Sequence, residues 1–218
     1  MSVKHFYFVR HGETAYNRAL VHQSINVPLN ECGKKQAEAA ASALSCIRID
    51  SILTSDAERT KETANVIASA TNTKVIAEPL LREMHRGVLV EGEHHFSLQS
   101  MKAGVLMFLL AGNGSWHFGN GENVSEFRKR LVKMRTLFSE MSGTHNVIVT
   151  HRGVINGLNF DVVHNFFGSS YAFLLAVALI KTKNGSITEL TYDPERTTPW
   201  VIVRANDTRH LNDISCER

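Results

Sequence analysis

The chain has 218 residues, of which 43% are hydrophobic, 8% aromatic and 21% charged. That is ordinary globular composition; it excludes wholesale disorder and low-complexity architecture, and the length suffices to bury a core without disulfides or metals. A net charge of +3 announces no large basic surface for nucleic acid or an anionic membrane. In chain order, the apolar run at residues 5–9 predicts a strand that stops at Arg10-His11-Gly12. Asn30 caps a predicted helix reaching about Cys46, with Ala37, Ala40, Ala41 and Leu44 on one face. Residues 51–54 predict a short strand. Ser55-Asp56-Ala57-Glu58 has the spacing of a capping box and opens a helix through Ala70. Residues 74–77 predict another strand. Val124, Phe127, Leu131, Met134, Phe138 and Met141 mark a helix over 124–141, and residues 146–150 a buried strand ending at His151-Arg152-Gly153. Residues 176–182 and 186–192 flank Lys183-Asn184-Gly185 as a predicted hairpin. Strands alternating with helices indicate an α/β fold with a mainly parallel sheet and an antiparallel C-terminal part.

Between Gly87 and Gly121 the alternation breaks, which predicts an inserted helical cap at about 88–120 on a single domain spanning 1–218. Cys32, Cys46 and Cys216 are far apart and odd in number, so free thiols in a reducing compartment are expected. The first residues read as a strand start rather than a signal peptide, and the apolar runs 105–111 and 171–180 are too short to span a bilayer. A cytoplasmic protein is expected.

Two strands end alike, one in Arg10-His11-Gly12 and one in His151-Arg152-Gly153. In a parallel sheet the carboxyl ends of the strands share one edge, where ligand crevices form. His11 and His151 are therefore expected to face one another across a pocket, each beside an arginine; taken singly, either reads as a hydrogen-bonded structural histidine. Arg59 falls near the start of the helix after the strand at residues 51–54, where a helix N-terminus and a guanidinium suit an anion. An ion pair with Glu58 or Glu62 is its other reading.

Arg10-His11-Gly12-Glu13-Thr14 with Asn17 resembles the signature of the histidine phosphatase superfamily, in its phosphoglycerate mutase-like branch. Residues 23–29 with Gly33 and Gln36-Ala37, then Ser55-Asp56 with Arg59, Thr63 and Ala64, are similar to successive family stretches. So are Leu81-Arg82-Glu83 with Gly87 and Glu91-Gly92, Gly121-Glu122, residues 147–153, and Asn206 with His210-Leu211. The resemblance implies a three-layer fold with helices on both faces of the sheet. It also implies a phosphomonoesterase in which His11 is the nucleophile and forms a phosphohistidine. Arg10, Arg59 and His151 would hold the equatorial oxygens, Asn17 would add a neutral hydrogen bond, and Glu83 would be the general acid and base. Arg152 stands where the family commonly has glycine, with three readings: it contacts a more anionic substrate, points away into an ion pair, or crowds the pocket.

A small phosphorylated substrate is the expected partner, with no cofactor, metal, nucleic acid or membrane; a homodimer stays open. Three other readings compete. One is a cofactor-dependent phosphoglycerate mutase, and another a phospho-ligand-binding protein without catalysis. A zinc hydrolase built on Glu83, His85, Glu91, Glu93, His94 and His95 lacks helical ligand spacing. Arg128, Lys129, Arg130, Lys133 and Arg135 read as the solvated face of an amphipathic helix rather than an RNA surface.

Overall fold

Alternating side chains place two apolar layers on the two faces of one sheet. In strand β1 (Lys4–Arg10), Phe6 and Phe8 join one buried cluster while Tyr7 and Val9 join another. Strand β4 (His145–Thr150) divides the same way, Ile148 to the first and Val147 and Val149 to the second. This is the period of two that a pleated strand imposes. In this computed structural model, residues 2–165 and 168–216 are described; positions 1, 166, 167, 217 and 218 of the expected domain lie outside that description.

The sheet has six strands in the order β3-β2-β4-β1-β5-β6, completed by β2 (Ser51–Thr54), β3 (Val75–Ala77), β5 (Ile187–Tyr192) and β6 (Trp200–Asp207). β3, β2, β4 and β1 run parallel, and β5 pairs antiparallel with both β1 and β6. Helices α2 (Glu31–Leu44) and α3 (Glu58–Thr71) cover one face, burying Ala40, Ala41, Leu44, Ala64 and Ile67. Helices α5 (Val124–Glu140), α6 (Arg152–Val163) and α7 (Ser170–Leu179) cover the other. There Phe138 packs on Phe6 and Phe8, and Phe127, Leu131 and Met134 join the same buried cluster; burying a side chain of that size contributes about 1.5–3 kcal/mol. The mainly parallel three-layer α/β fold is the one expected. Two shorter pieces complete the chain: α1 (Ala15–Arg18), and α4 (Leu98–Leu109) in the segment expected as a cap. No helix among the described residues is long and apolar enough to cross a membrane.

Three expectations are corrected. The hairpin arm at residues 176–182 is instead the end of α7 and the turn beyond it. Ser169 caps that helix, and its Ala- and Leu-rich run carries few β-branched residues to favour a strand. The partner of β5 is β6, which has no predicted counterpart in the sequence reading. Helix α3 has Ala57 at its cap with no side-chain bond, because the Ser55 hydroxyl turns toward the sheet edge. Cys32 and Cys216 are not free thiols: their Cα atoms lie 5.4 Å apart and a disulfide joins them, leaving Cys46 alone exposed. The cysteines therefore no longer argue for a reducing compartment.

Candidate active site

Arg10 and Thr150 are register partners at the ends of β1 and β4, and the His11 N–H donates to the Thr150 carbonyl at 3.0 Å. The two strands thus release His11 and His151 side by side at the carboxyl edge, with ring centroids 5.2 Å apart. Ser55, just past the neighbouring β2, donates its backbone N–H to Val149. The Gly12 N–H donates to Thr63 Oγ1 at 3.1 Å, which holds the loop after β1 against α3. A Cβ on Gly12 would overlap the Gly33 carbonyl, so only glycine lets this loop rest on the first turn of α2.

Hydrogen bonds fix both tautomers. His11 Nδ1 lies 2.7 Å from the Gly12 carbonyl, which can only accept, so Nδ1 carries the proton and the lone pair is on Nε2. Arg59 Nη2 can only donate, so His151 Nδ1 accepts from it at 3.3 Å and Nε2–H donates to Ser55 Oγ at 3.0 Å. Burial, then the charges of Arg59 and Arg10, hold the His11 pKa well below its ordinary value. Burial, Arg59, His11 and Arg10 do the same for His151. At neutral pH both imidazoles are uncharged.

Arg10 and Arg59 bring the positive charge. Arg10 reaches the Thr182 carbonyl through Nη1, and Arg59 reaches the Ser24 carbonyl at 2.8 Å. Burial lowers both guanidinium pKa values to about 10. Each also keeps a buried Nε–H with no partner, so the site holds more donor capacity than the protein itself uses. Arg59 makes no ion pair with Glu58 or Glu62: Glu58 pairs with Lys61, and Glu62 accepts from the Leu29 N–H. Asn17 sits in the capping box of α1, its Oδ1 accepting from the Thr14 N–H and from Asn184, and it lines the same cleft.

Glu83 completes the group. Its Oε1 accepts from the Met84 N–H at 2.9 Å and its Oε2 from the Gly153 N–H at 3.0 Å, in the first turn of α6. A carboxylate suits the positive end of a helix. Arg82 forms a two-pronged pair with Asp56 and leaves Glu83 alone. The cleft, of about 1790 Å³, is lined by Arg10, His11, Asn17, Arg59, Glu83, His151 and Arg152 together, so all seven expected site residues meet at one place.

Two contributors were missed. Asn184 donates to the carbonyls of His11 (3.0 Å) and Gly12 (3.3 Å) and to Asn17, tying the turn before β5 to the histidine loop. Its Asn-Gly sequence reads only as turn chemistry. Arg130 donates to the carbonyls of Leu80, Arg82 and Glu83 and pairs with Glu122 at 2.6 Å, which clamps the loop carrying Glu83. It belonged to the basic cluster read as solvated. Arg128 likewise pairs with Asp161 at 3.1 Å, so part of that face is built into the protein. No group of three His, Cys, Asp or Glu side chains is arranged to hold a metal ion among the described residues.

A Klebsiella pneumoniae protein named "Probable phosphoglycerate mutase GpmB" is 32% identical over 211 residues, with 94% of each chain covered. Among solved structures, the alpha-ribazole phosphatase from Shigella flexneri superposes with a TM-score of 0.73 at 23% identity, over 98% of this chain and 100% of that one. A mutant phosphoserine phosphatase from Entamoeba histolytica, in complex with phosphoserine, gives 0.77 at 20% identity, over 95% and 99%. At those identities the two structures share the fold. The sequence model of the histidine phosphatase superfamily (branch 1) matches residues 6–208, and the chain belongs to that superfamily.

Proposed function

We propose that the chain is a phosphomonoesterase that hydrolyses a small phosphorylated metabolite through a phosphohistidine on His11. The observation that carries this reading is the orientation of His11: its proton is committed to the Gly12 carbonyl, which leaves a neutral Nε2 lone pair beside two buried guanidinium groups. Attack by Nε2 on phosphorus forms the N–P bond as the ester P–O bond breaks. The departing alkoxide takes a proton from Glu83. In the second step Glu83 accepts a proton from water, whose oxygen attacks phosphorus. The N–P bond then breaks, releasing inorganic phosphate and restoring neutral His11.

Arg10 and Arg59 neutralise the charge on the transferring group, and their fixed positions avoid reorganisation during the reaction. His151 orients Arg59 through Nδ1, and Asn17 donates from its amide nitrogen. These side chains supply the positive charge that a metal ion supplies in other phosphoryl-transfer sites, so activity is expected to survive chelation. Incubation with an ester carrying labelled phosphate tests the intermediate. An acid-labile phosphoryl adduct is expected on wild type and not on His11→Ala. Equal labelling of the two proteins removes His11 from the nucleophile's place.

The name of the Klebsiella relative favours a second reading, a phosphoglycerate mutase. Isomerisation of phosphoglycerate strongly activated by added bisphosphoglycerate, faster than release of inorganic phosphate, would establish it.

A further inference from the structure

Two arginines of the cleft take no part in the chemistry above. Arg86 lies three residues beyond Glu83, and Arg152 is the first residue of α6, directly after His151. Every other arginine lining the cleft is held by the protein: Arg10 at Thr182, Arg59 at Ser24 and His151, Arg82 at Asp56, and Arg130 at Glu122. Among the described residues, no hydrogen bond or ion pair engages the side chain of Arg86 or Arg152. The two also oppose each other. Burial and then, after the favourable Glu83, the charge of Arg152 act on Arg86, whose pKa is lowered. Arg152 lines the same cleft, and its charge acts both on Arg10 at the phosphate end and on His95 in the cap segment.

A pair of histidines borders these arginines. Val21 bridges antiparallel to His94, the His22 N–H donates to the Glu93 carbonyl at 2.9 Å, and the His95 N–H donates to the Leu20 carbonyl at 2.7 Å. This short ladder sets the imidazoles of His22 and His95 4.4 Å apart on the cleft wall. Burial and Arg86 keep both rings neutral, with His22 lowered to about 4. They offer N–H donors without adding charge. Two like charges lining one cleft, with neither side chain in an ion pair, favour an anion placed between them. Glu83, the nearest carboxylate, is already committed to the Met84 and Gly153 N–H groups.

We propose that Arg86 and Arg152, flanked by His22 and His95, form a second anion subsite, and that the substrate is a phosphomonoester bearing another anionic group, a carboxylate or a second phosphate. This rests on the phosphomonoesterase reading and narrows its substrate class. The cleft exceeds the several hundred Å³ of a typical small-ligand site, so there is room for a substrate that reaches past the scissile phosphate.

The test compares three esters of primary alcohols with similar leaving groups: glycerol 3-phosphate, 3-phosphoglycerate and propane-1,3-diol bisphosphate. Wild type is expected to favour one of the two anionic esters over glycerol phosphate by at least tenfold in kcat/KM. The preferred arm tells carboxylate from phosphate. Hydrogen bonds to a charged group contribute about 1.5–3 kcal/mol, so Arg86→Gln and Arg152→Gln should each reduce that preference by roughly 10- to 100-fold. Arg86→Lys, which keeps the charge, should restore part of it. Calorimetric binding of the same esters to His11→Ala reads the subsite without turnover, and the same preference is expected there. Equal kcat/KM and equal affinity for all three esters, or variants that lower all three alike, overturn the subsite. Absence of any phosphoryl adduct on His11, with the binding preference intact, overturns the phosphatase reading and leaves the subsite standing.

Discussion

Glycine at position 153 makes a test of Glu83 that leaves the carboxyl group itself in place. A Cβ there would overlap Glu83 Oε1 and come within 3.1 Å of Cδ. The backbone of Gly153 is helical and its φ is not positive, so alanine suits the chain while its methyl group displaces the carboxylate. Glu83 would lose its bond to the Gly153 N–H, and its bond to the Met84 N–H would be strained, at a cost of about 1.5–3 kcal/mol for a charged acceptor. Against this, alanine in a helix gains up to about 1 kcal/mol over glycine. Gly153→Ala should therefore fold with stability within about 2 kcal/mol of wild type.

Its activity should divide by leaving group. A positioned general acid contributes about 10²–10⁴-fold, so kcat/KM for an alkyl phosphate is expected to fall at least ~100-fold, equivalent to about 2.7 kcal/mol of barrier. A nitrophenolate leaves as the anion at neutral pH and needs no proton, so kcat/KM for p-nitrophenyl phosphate should stay within roughly threefold. Steady-state kinetics on both esters, with a urea melt to verify folding, supply the measurement. An alkyl phosphate turned over as fast as by wild type, or an equal loss on both esters, refutes Glu83 as the acid.

Arg130→Met should destabilise the protein by roughly 3–5 kcal/mol, since it strands a part-buried Glu122 and frees three carbonyls of the Glu83 loop; chemical denaturation reads the loss, and a cost below ~1 kcal/mol would show that the clamp is idle. Cys216→Ser opens a link between residues 184 positions apart and is expected to cost about 2–5 kcal/mol in the non-reducing melt, with no further loss when reductant is added to the variant. The two site histidines make stability depend on pH. Their folded pKa values lie well below 6.5, so below pH 6.5 the unfolded chain binds protons that the native state refuses, and stability falls as pH falls. Each contributes a slope approaching ~1.4 kcal/mol per pH unit, so the two together should account for roughly 2–3 kcal/mol of the stability lost between pH 7.5 and pH 5.5, with His22 adding its own share. His11→Asn should remove about half of the share of the two site histidines, roughly 1.4 kcal/mol, and an unchanged slope in the variant would contradict the assignment.

The parts of this fold that are legible in the sequence are those written in local pattern. The α2 residues that face the sheet, Ala37 to Leu44, are spaced for a helix, and Asn30 caps it as its side chain predicts. The parallel strands ending at His11 and His151 could be placed on one edge because parallel connections leave no other arrangement. What stayed illegible depends on distant pairs. Arg130 acts on carbonyls some fifty residues earlier, and nothing in its helix distinguishes it from the exposed Lys129 or Lys133. Cys216 finds Cys32 only because the chain past β6 returns to α2, where His210 also donates to the Gly185 carbonyl at 2.9 Å. Residues 176–182 misled for a different reason: a short, uniformly apolar run carries no periodicity, and helix and strand look alike in it.

The electrostatics of the site explain why its components are inseparable. Lowering a guanidinium pKa to about 10 means that burial disfavours the charged form by roughly 3 kcal/mol, and Arg10 and Arg59 each bear that cost. The fold tolerates it because each guanidinium is anchored to a carbonyl, Thr182 for one and Ser24 for the other. Those anchors take one edge of each group, and the buried Nε–H of each stays unpaired. Burial first, and these same charges after it, keep His11 neutral, so the arginines help to hold the nucleophile in its active form. A bound phosphate dianion would offset the arginines' cost while raising the basicity of His11 just as it comes into position to attack. Replacing either arginine by a neutral residue would therefore weaken phosphate binding and let His11 protonate at higher pH, two losses from one substitution.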